Sequence, residues 1–206
     1  MTALDRLPAP RWTAEVELDG AEGTRTFGAR LAGLLRAGDV LILTGQLGAG
    51  KTTFTQGLGA GLGVREGIIS PTFVLARIHP ALADGPDLVH VDAYRLRSGG
   101  ELTDLDLEAT ADRSVTVVEW GRGLAESLAG FPEDPEASWL DVEIVRALGG
   151  AADGRAGAQD GAHDDGAAPV IVTDFSDEEG EAAEEVRTAV VRAHGPRWAG
   201  VALPRG

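Results

Sequence analysis

Residues 45–52 read Gly-Gln-Leu-Gly-Ala-Gly-Lys-Thr, which satisfies the spacing G-x-x-x-x-G-K-[ST]. Glycines at these positions let the backbone curl into a concave nest of N–H groups, and a helix beginning at the lysine adds positive potential. The fitting ligand is a polyphosphate. Lys51 would reach its outer phosphates, and the Thr52 hydroxyl would serve a magnesium ion, a hard cation that prefers oxygen donors. The pattern gains weight from composition. Of the 18 cationic residues, Lys51 is the only lysine and the other 17 are arginines. A planar guanidinium does not replace a compact ammonium inside a tight phosphate nest. The same scarcity removes the lysine of an Asn-Lys-x-Asp guanine reader, so ATP is favoured over GTP.

Phosphate loops of this kind work with an acid at the end of a neighbouring strand. Two acids are offered: Asp92 closes the apolar run 88–92, and Glu119 closes the run 114–119. If the strands are parallel, their carboxyl ends open onto one crevice and both acids face it. One would join Thr52 in the metal shell, and the other would orient a water or sense the terminal phosphate.

The elements needed to position these groups are legible around them. The segment 14–18 alternates as a short strand, and 24–36 has Phe27, Leu31, Leu34 and Leu35 at helical spacing with a stop at Gly38. An apolar strand at 40–44 runs into the glycine loop, and a helix follows from 51 to about 62. Ser98 and Glu101 fit a capping box. The segments 140–145 and 187–192 read as two further strands forming a hairpin pair. Strands alternating with helices predict an α/β fold, largely parallel at the centre of its sheet. Residues 1–13 read as a Pro-rich lead-in, and 14–148 with 186–200 as one domain.

Between the last two strands, 149–185 is rich in Gly, Ala and acid. Within 151–185 there are eleven acidic residues and one arginine, a local net charge of −10 out of the chain's −15. The other 171 residues therefore carry only −5. Such composition buries too little apolar surface to order itself, so a solvated insertion is expected, with 169–175 (PVIVTDF) open as a strand or docking peptide. The acidity also argues against direct, tight polynucleotide binding, which needs a basic surface. With no cysteine there is no disulfide, thiolate nucleophile or Cys-ligated metal. No apolar run reaches the length that spans a bilayer, and the first residues lack a signal-peptide pattern, so a cytoplasmic protein is expected.

The order of motifs then becomes specific: LTGQLGAGKTTFTQGLGAGLG, SPTF at 70–73, HVDAYRL at 90–96 and VVEW at 117–120. Over about 24–147 and 186–198 the chain resembles the bacterial TsaE (YjeE) family. It departs at Gln46 and Arg122, where the family often has acids, and 149–185 has no counterpart in compact members. The resemblance implies a P-loop NTPase-like three-layer sandwich, with a central, mostly parallel sheet and added antiparallel strands. It also implies an ATPase, weak alone, that serves threonylcarbamoyl modification of adenosine 37 in tRNAs reading codons beginning with A. Protein partners of the TsaD and TsaB type are implied, with ATP and Mg²⁺ as cofactors.

By position, the resemblance makes Thr52 and Glu119 the metal ligands and Asp92 an acid important for hydrolysis, while Thr72 falls in a switch-like loop near the terminal phosphate. Lys51, Thr72, Asp92 and Glu119 form the implied catalytic set. The implied nucleotide contacts are Gly45, Gln46, Leu47, Gly48, Ala49, Gly50, Lys51, Thr52 and Thr53, with Thr24 near the adenine, Trp120 beside the site and Arg187 on the late strands. From the residues alone, Trp120 fits a core equally well, His90 reads as a packing residue, and Tyr94 and Arg95 are open between packing and partner contact. Two other functions remain in view. One is a small-molecule P-loop kinase with a lid drawn from Arg95, Arg97, Arg113 or Arg122; the other is a nucleotide-dependent switch that barely hydrolyses.

Overall fold

A computed structural model describes residues 7–146 and 186–203, apart from Phe73 and Arg97. Seven strands form one sheet: β1 (Trp12–Leu18), β2 (Val40–Gly45), β3 (Ala76–His79), β4 (Asp87–Asp92), β5 (Ser114–Glu119), β6 (Trp139–Arg146) and β7 (Arg187–His194). Their order is β1-β7-β6-β2-β5-β4-β3. The inner four, β6, β2, β5 and β4, run parallel; β7 and β3 flank them antiparallel, and β1 pairs antiparallel with β7 at the outer edge. The central strands are Val- and Leu-rich on both faces, as strands covered on both sides must be.

Two long helices, α1 (Gly20–Ala32) and α2 (Lys51–Leu62), cover one face. There Phe27, Leu31, Phe54 and Leu58 pack on Leu41, Leu43, Val117 and Val142. The short helices α3 (Gly99–Thr103) and α4 (Glu108–Ala111), with a 3₁₀ turn at Ala125–Ala129, lie on the other. Below the sheet, Ile42, Val89, Val91, Val118 and Trp139 pack with Leu102 and Leu107. The result is the expected three-layer sandwich.

The close seat of α1 on α2 depends on glycine. A Cβ at Gly57 would run into the backbone of Arg25, one at Gly61 into the carbonyl of Ala29, and one at Gly28 into the carbonyl of Phe54. Missing side chains at the crossing let the two backbones meet directly.

Expected and observed elements differ in bounds for local reasons. Helix α1 starts four residues before position 24 and ends at Ala32; the chain then turns, and Asp39 Oδ2 accepts the Arg36 N–H at 2.9 Å. Ser98 caps α3 by accepting the Glu101 N–H at 3.4 Å. Strand β3, absent from the sequence reading, is four residues long and pairs only with β4. The hairpin of β6 and β7 is in register from Trp139 opposite His194 to Arg146 opposite Arg187. The acidic insertion lies outside the described residues, as does the start of the lead-in. Of that lead-in, Leu7 packs against the lower cluster and Trp12 opens β1. Among the described residues no helix is long and apolar enough to cross a membrane.

Candidate functional site

The glycine loop leaves β2 through backbone conformations that side chains resist. Gly45, Gly48 and Gly50 have φ of 150°, 74° and 102°. A Cβ on Gly45 would stand 2.6 Å from the Ile144 carbonyl oxygen, so only glycine fits between the loop and β6. Gly50 precedes α2 in the left-handed region and supplies no side-chain cap. The first N–H groups of α2 are therefore left for an outside acceptor, and an anion is the natural one. Ala49 is buried beneath the loop, whereas Leu47 stands at its tip, 89% exposed.

Lys51 points back under this loop. Its Nζ donates to the carbonyl oxygens of Gly45 at 3.0 Å and Gln46 at 3.1 Å, and lies 4.1 Å from the centre of the Trp120 ring. Burial pushes its pKa below the ordinary lysine value, with Glu119 and Asp92 pulling the other way. A partly desolvated ammonium suits an anionic oxygen chemically, because little water must be stripped from it on binding.

The two acids arrive together by register. In the parallel ladder of β4 and β5, Asp92 sits directly opposite Glu119. Both are buried. Asp92 is held on both oxygens: Oδ2 accepts Thr72 Oγ1 at 2.6 Å, and Oδ1 accepts the Tyr94 N–H at 2.9 Å. Ser70 and Thr72 hydroxyls are 2.8 Å apart, and the Asp92 N–H donates to the Leu75 carbonyl, which docks the Ser-Pro-Thr loop onto the end of β4. Glu119 Oε1 is bonded to His90 Nε2 at 2.9 Å.

Trp120 follows Glu119 in a left-handed conformation, φ 60°, with its N–H bonded to the Leu43 carbonyl at 2.9 Å. A bulky residue held there is strained, and such strain concentrates at working sites. The turn swings the indole over Lys51, and the exposed Tyr94 packs edge-on against it at 5.5 Å.

Leu47, Gly48, Gly50, Lys51, Thr52, Thr53, Ser70, Thr72, Asp92, Glu119 and Trp120 line one cleft of about 380 Å³. Gly45 and Gln46 contribute carbonyls to Lys51 rather than lining. Thr24 and Arg187 are not among the cleft-lining residues but stand next to the loop: Thr24 Cγ2 and Arg187 Nη1 lie 3.5 and 3.3 Å from where a Gly50 Cβ would be. Thr24 is fully buried, with its hydroxyl donating to the Gly20 carbonyl at 2.7 Å. The glycine cradle, the lysine, and hard oxygen donors on Thr52, Asp92 and Glu119 suit a magnesium-bound polyphosphate chemically.

A family model described as threonylcarbamoyl adenosine biosynthesis protein TsaE matches residues 18–147 of this chain. The chain belongs to the TsaE family. A TsaE of Streptomyces coelicolor is 58% identical over 130 residues, covering 63% of this chain and 83% of that protein. One of Mycobacterium tuberculosis strain H37Rv is 48% identical over 136 residues, covering 63% and 77%. The crystal structure of Bacillus subtilis YdiB superposes with a TM-score of 0.55 at 26% identity, covering 91% of this chain and 90% of that one. Every cleft-lining residue falls inside the TsaE match; Arg187 lies beyond it.

Two residues outside the expected site make hydrogen bonds to neighbouring strands. His90, which reads as packing, is hydrogen-bonded to Glu119, and the signal was its period-two spacing from Asp92 on β4, which puts both on one face. Arg122 is engaged in structure: it donates to Asp141 Oδ1 at 2.8 Å and Glu143 Oε2 at 3.2 Å, tying the loop after β5 to β6.

Proposed function

We propose that this TsaE-family protein binds MgATP in the cleft between the glycine loop and the ends of β4 and β5, and hydrolyses it in support of threonylcarbamoyl modification of adenosine 37 in tRNAs reading codons beginning with A. The observation that carries this reading is the in-register pair of Asp92 and Glu119 facing the chain's one lysine across the start of α2. Magnesium, when bound, would draw charge from the phosphates and hold the terminal one for attack. Lys51 would exchange its bonds to the Gly45 and Gln46 carbonyls for phosphate oxygens. Thr52 and Glu119 would hold the cation. Asp92, released from Thr72, would accept a hydrogen bond from the attacking water, and Thr72 would report the terminal phosphate to its loop. Among the described residues no three His, Asp or Glu side chains gather into a metal site of their own. That suits a magnesium ion carried in by the nucleotide and keeping several waters.

A lid-bearing kinase is less well supported. Arg122 is committed to Asp141 and Glu143, and Arg113 pairs with Asp87 at 3.8 Å, at the opposite end of the strands from the cleft. The net charge of −15 disfavours a direct grip on tRNA, so coupling would run through proteins of the TsaD and TsaB type. A cytoplasmic location goes with this pathway.

The biological claim is tested by depleting the protein and measuring tRNA nucleosides by mass spectrometry. Threonylcarbamoyladenosine should fall; an unchanged level would overturn the role. At the cleft, Glu119→Gln should reduce the magnesium-dependent gain in ATP affinity, measured by calorimetry, by about tenfold or more. Full retention of that gain would remove Glu119 from the metal site.

A further inference from the structure

The two acids of the cleft are held in different ways, and the difference assigns their roles. Asp92 has partners on both oxygens, from Thr72 and from the Tyr94 backbone. The hydrogen bond to Glu119 falls on Oε1 alone and comes from His90, a residue wholly inside the protein. His90 precedes Asp92 by two residues on β4, and Glu119 lies opposite Asp92 on β5, so imidazole and carboxylate are diagonal neighbours on one face of the sheet. His90 is not among the cleft-lining residues, whereas Glu119 is. The imidazole thus grips Glu119 from beneath and leaves Oε2 for the cleft.

The ring can do this in one sense only. Nδ1 of His90 is buried and has no hydrogen-bond partner among the described residues. The neighbouring ring of His79, 6.4 Å away between centres, makes no hydrogen bond with it. Nε2 therefore makes the ring's contact, and because a carboxylate oxygen only accepts, Nε2 must carry the proton. A free glutamate has three rotatable bonds between backbone and carboxylate. Fixing one oxygen by a donor that is itself packed in the sheet pre-orients the other, which is how outer partners of metal-binding carboxylates act.

We propose that His90 is a positioning residue: by donating from Nε2 to Glu119 Oε1 it presents Oε2 to the divalent cation and makes Glu119, rather than Asp92, the carboxylate that holds it. This rests on the MgATP reading above. Asp92 is left free to change partners with the Ser-Pro-Thr loop, a role that a carboxylate locked to a metal could not fill.

Two measurements on the full chain test the assignment. In unaltered protein labelled with ¹⁵N-histidine, nitrogen shifts should show His90 with its proton on Nε2. A proton on Nδ1 with a bare Nε2 would overturn the proposal without any variant having to fold. Second, ATP binding is measured by calorimetry with Mg²⁺ and with EDTA for His90→Phe, which keeps volume but lacks the donor, and His90→Gln, whose amide can restore it. His90→Phe should lose about 10–100-fold of the magnesium-dependent gain while binding ATP in EDTA as the unaltered protein does, and His90→Gln should recover most of that loss. Retention of the gain in His90→Phe, an equal loss with and without magnesium, or no recovery in His90→Gln would each overturn it. If the unaltered protein shows no magnesium-dependent gain, the nucleotide reading itself fails; if it does and His90→Phe keeps it, only the positioning role fails.

Discussion

Lys51→Ala is expected to weaken ATP binding by at least about 100-fold, roughly 2.7 kcal/mol, measured by calorimetry at fixed magnesium. The chain's only lysine sits under the glycine loop, 6% exposed, where its ammonium is already stripped of most water and held by two backbone carbonyls. On the proposed MgATP reading, phosphate oxygens would replace those carbonyls as stronger, charged acceptors. Lys51→Arg should not rescue binding, because a broad planar guanidinium does not replace a compact ammonium held under the loop by two backbone carbonyls. Stability should move the other way. Burial lowers the Lys51 pKa in the folded protein, so its protonated form is disfavoured by folding. That penalty is fully present below the lowered folded value and fades as pH rises through it toward the unfolded one. The alanine variant should therefore unfold at no lower denaturant concentration than the unaltered chain near neutral pH. Binding within about threefold of the unaltered protein would remove Lys51 from the site.

The second large effect concerns a residue that touches no ligand. Replacing a glycine inside a helix by alanine ordinarily stabilises it by about 0.5–1 kcal/mol, since glycine loses more backbone freedom on folding. Gly57→Ala should instead destabilise by about 2–4 kcal/mol, because the new methyl meets the backbone of Arg25, which no rotamer change can move. Helix α1 would have to lift off α2, opening the packing of Phe27 on Phe54, whose rings lie 5.8 Å apart. Ala60, exposed on the same helix, gives the contrast: Ala60→Gly should lose only the propensity difference of about 1 kcal/mol. Urea unfolding midpoints would separate the two. A Gly57→Ala protein as stable as the unaltered chain would show that the helices are not in backbone contact. The two predictions are linked through α2, because this helix begins with Lys51 and the crossing at Gly57 sets where its N-terminus lies.

What was readable in advance follows the range of the forces involved. Helix α2 and the strands β2, β4 and β5 came within a residue of their expected bounds, because each is specified by contiguous residues: an apolar run, a glycine turn, a period. The loop motif itself is local and named Gly45 to Thr52 directly. The pairing of 140–145 with 187–192 was also legible, since two β-rich runs joined by a long polar stretch have few other partners. Strand β3 was not, because Ala76–His79 is short, lies at an edge and is a strand only through its ladder with β4. Thr24 on α1 and Arg187 on β7 come together beside Gly50, a proximity no spacing could show.

Contiguous residues alone specify a glycine-rich G-x-x-x-x-G-K-[ST] loop on a strand–helix junction, two strand-end acids, an acidic stretch at 149–185 and a TsaE pattern of motifs. Those are properties of neighbours along the chain. The tertiary structure decided which groups meet across the sheet: Asp92 beside Glu119 by register, Thr72 on Asp92, His90 beneath Glu119, and Trp120 turned over Lys51 through a backbone angle its own side chain resists. These contacts join segments up to 69 positions apart, and a side-chain hydrogen bond holds only within about 3 Å. Their geometry is therefore settled by strand order and helix packing, which bring those segments together, and not by any stretch of sequence read alone.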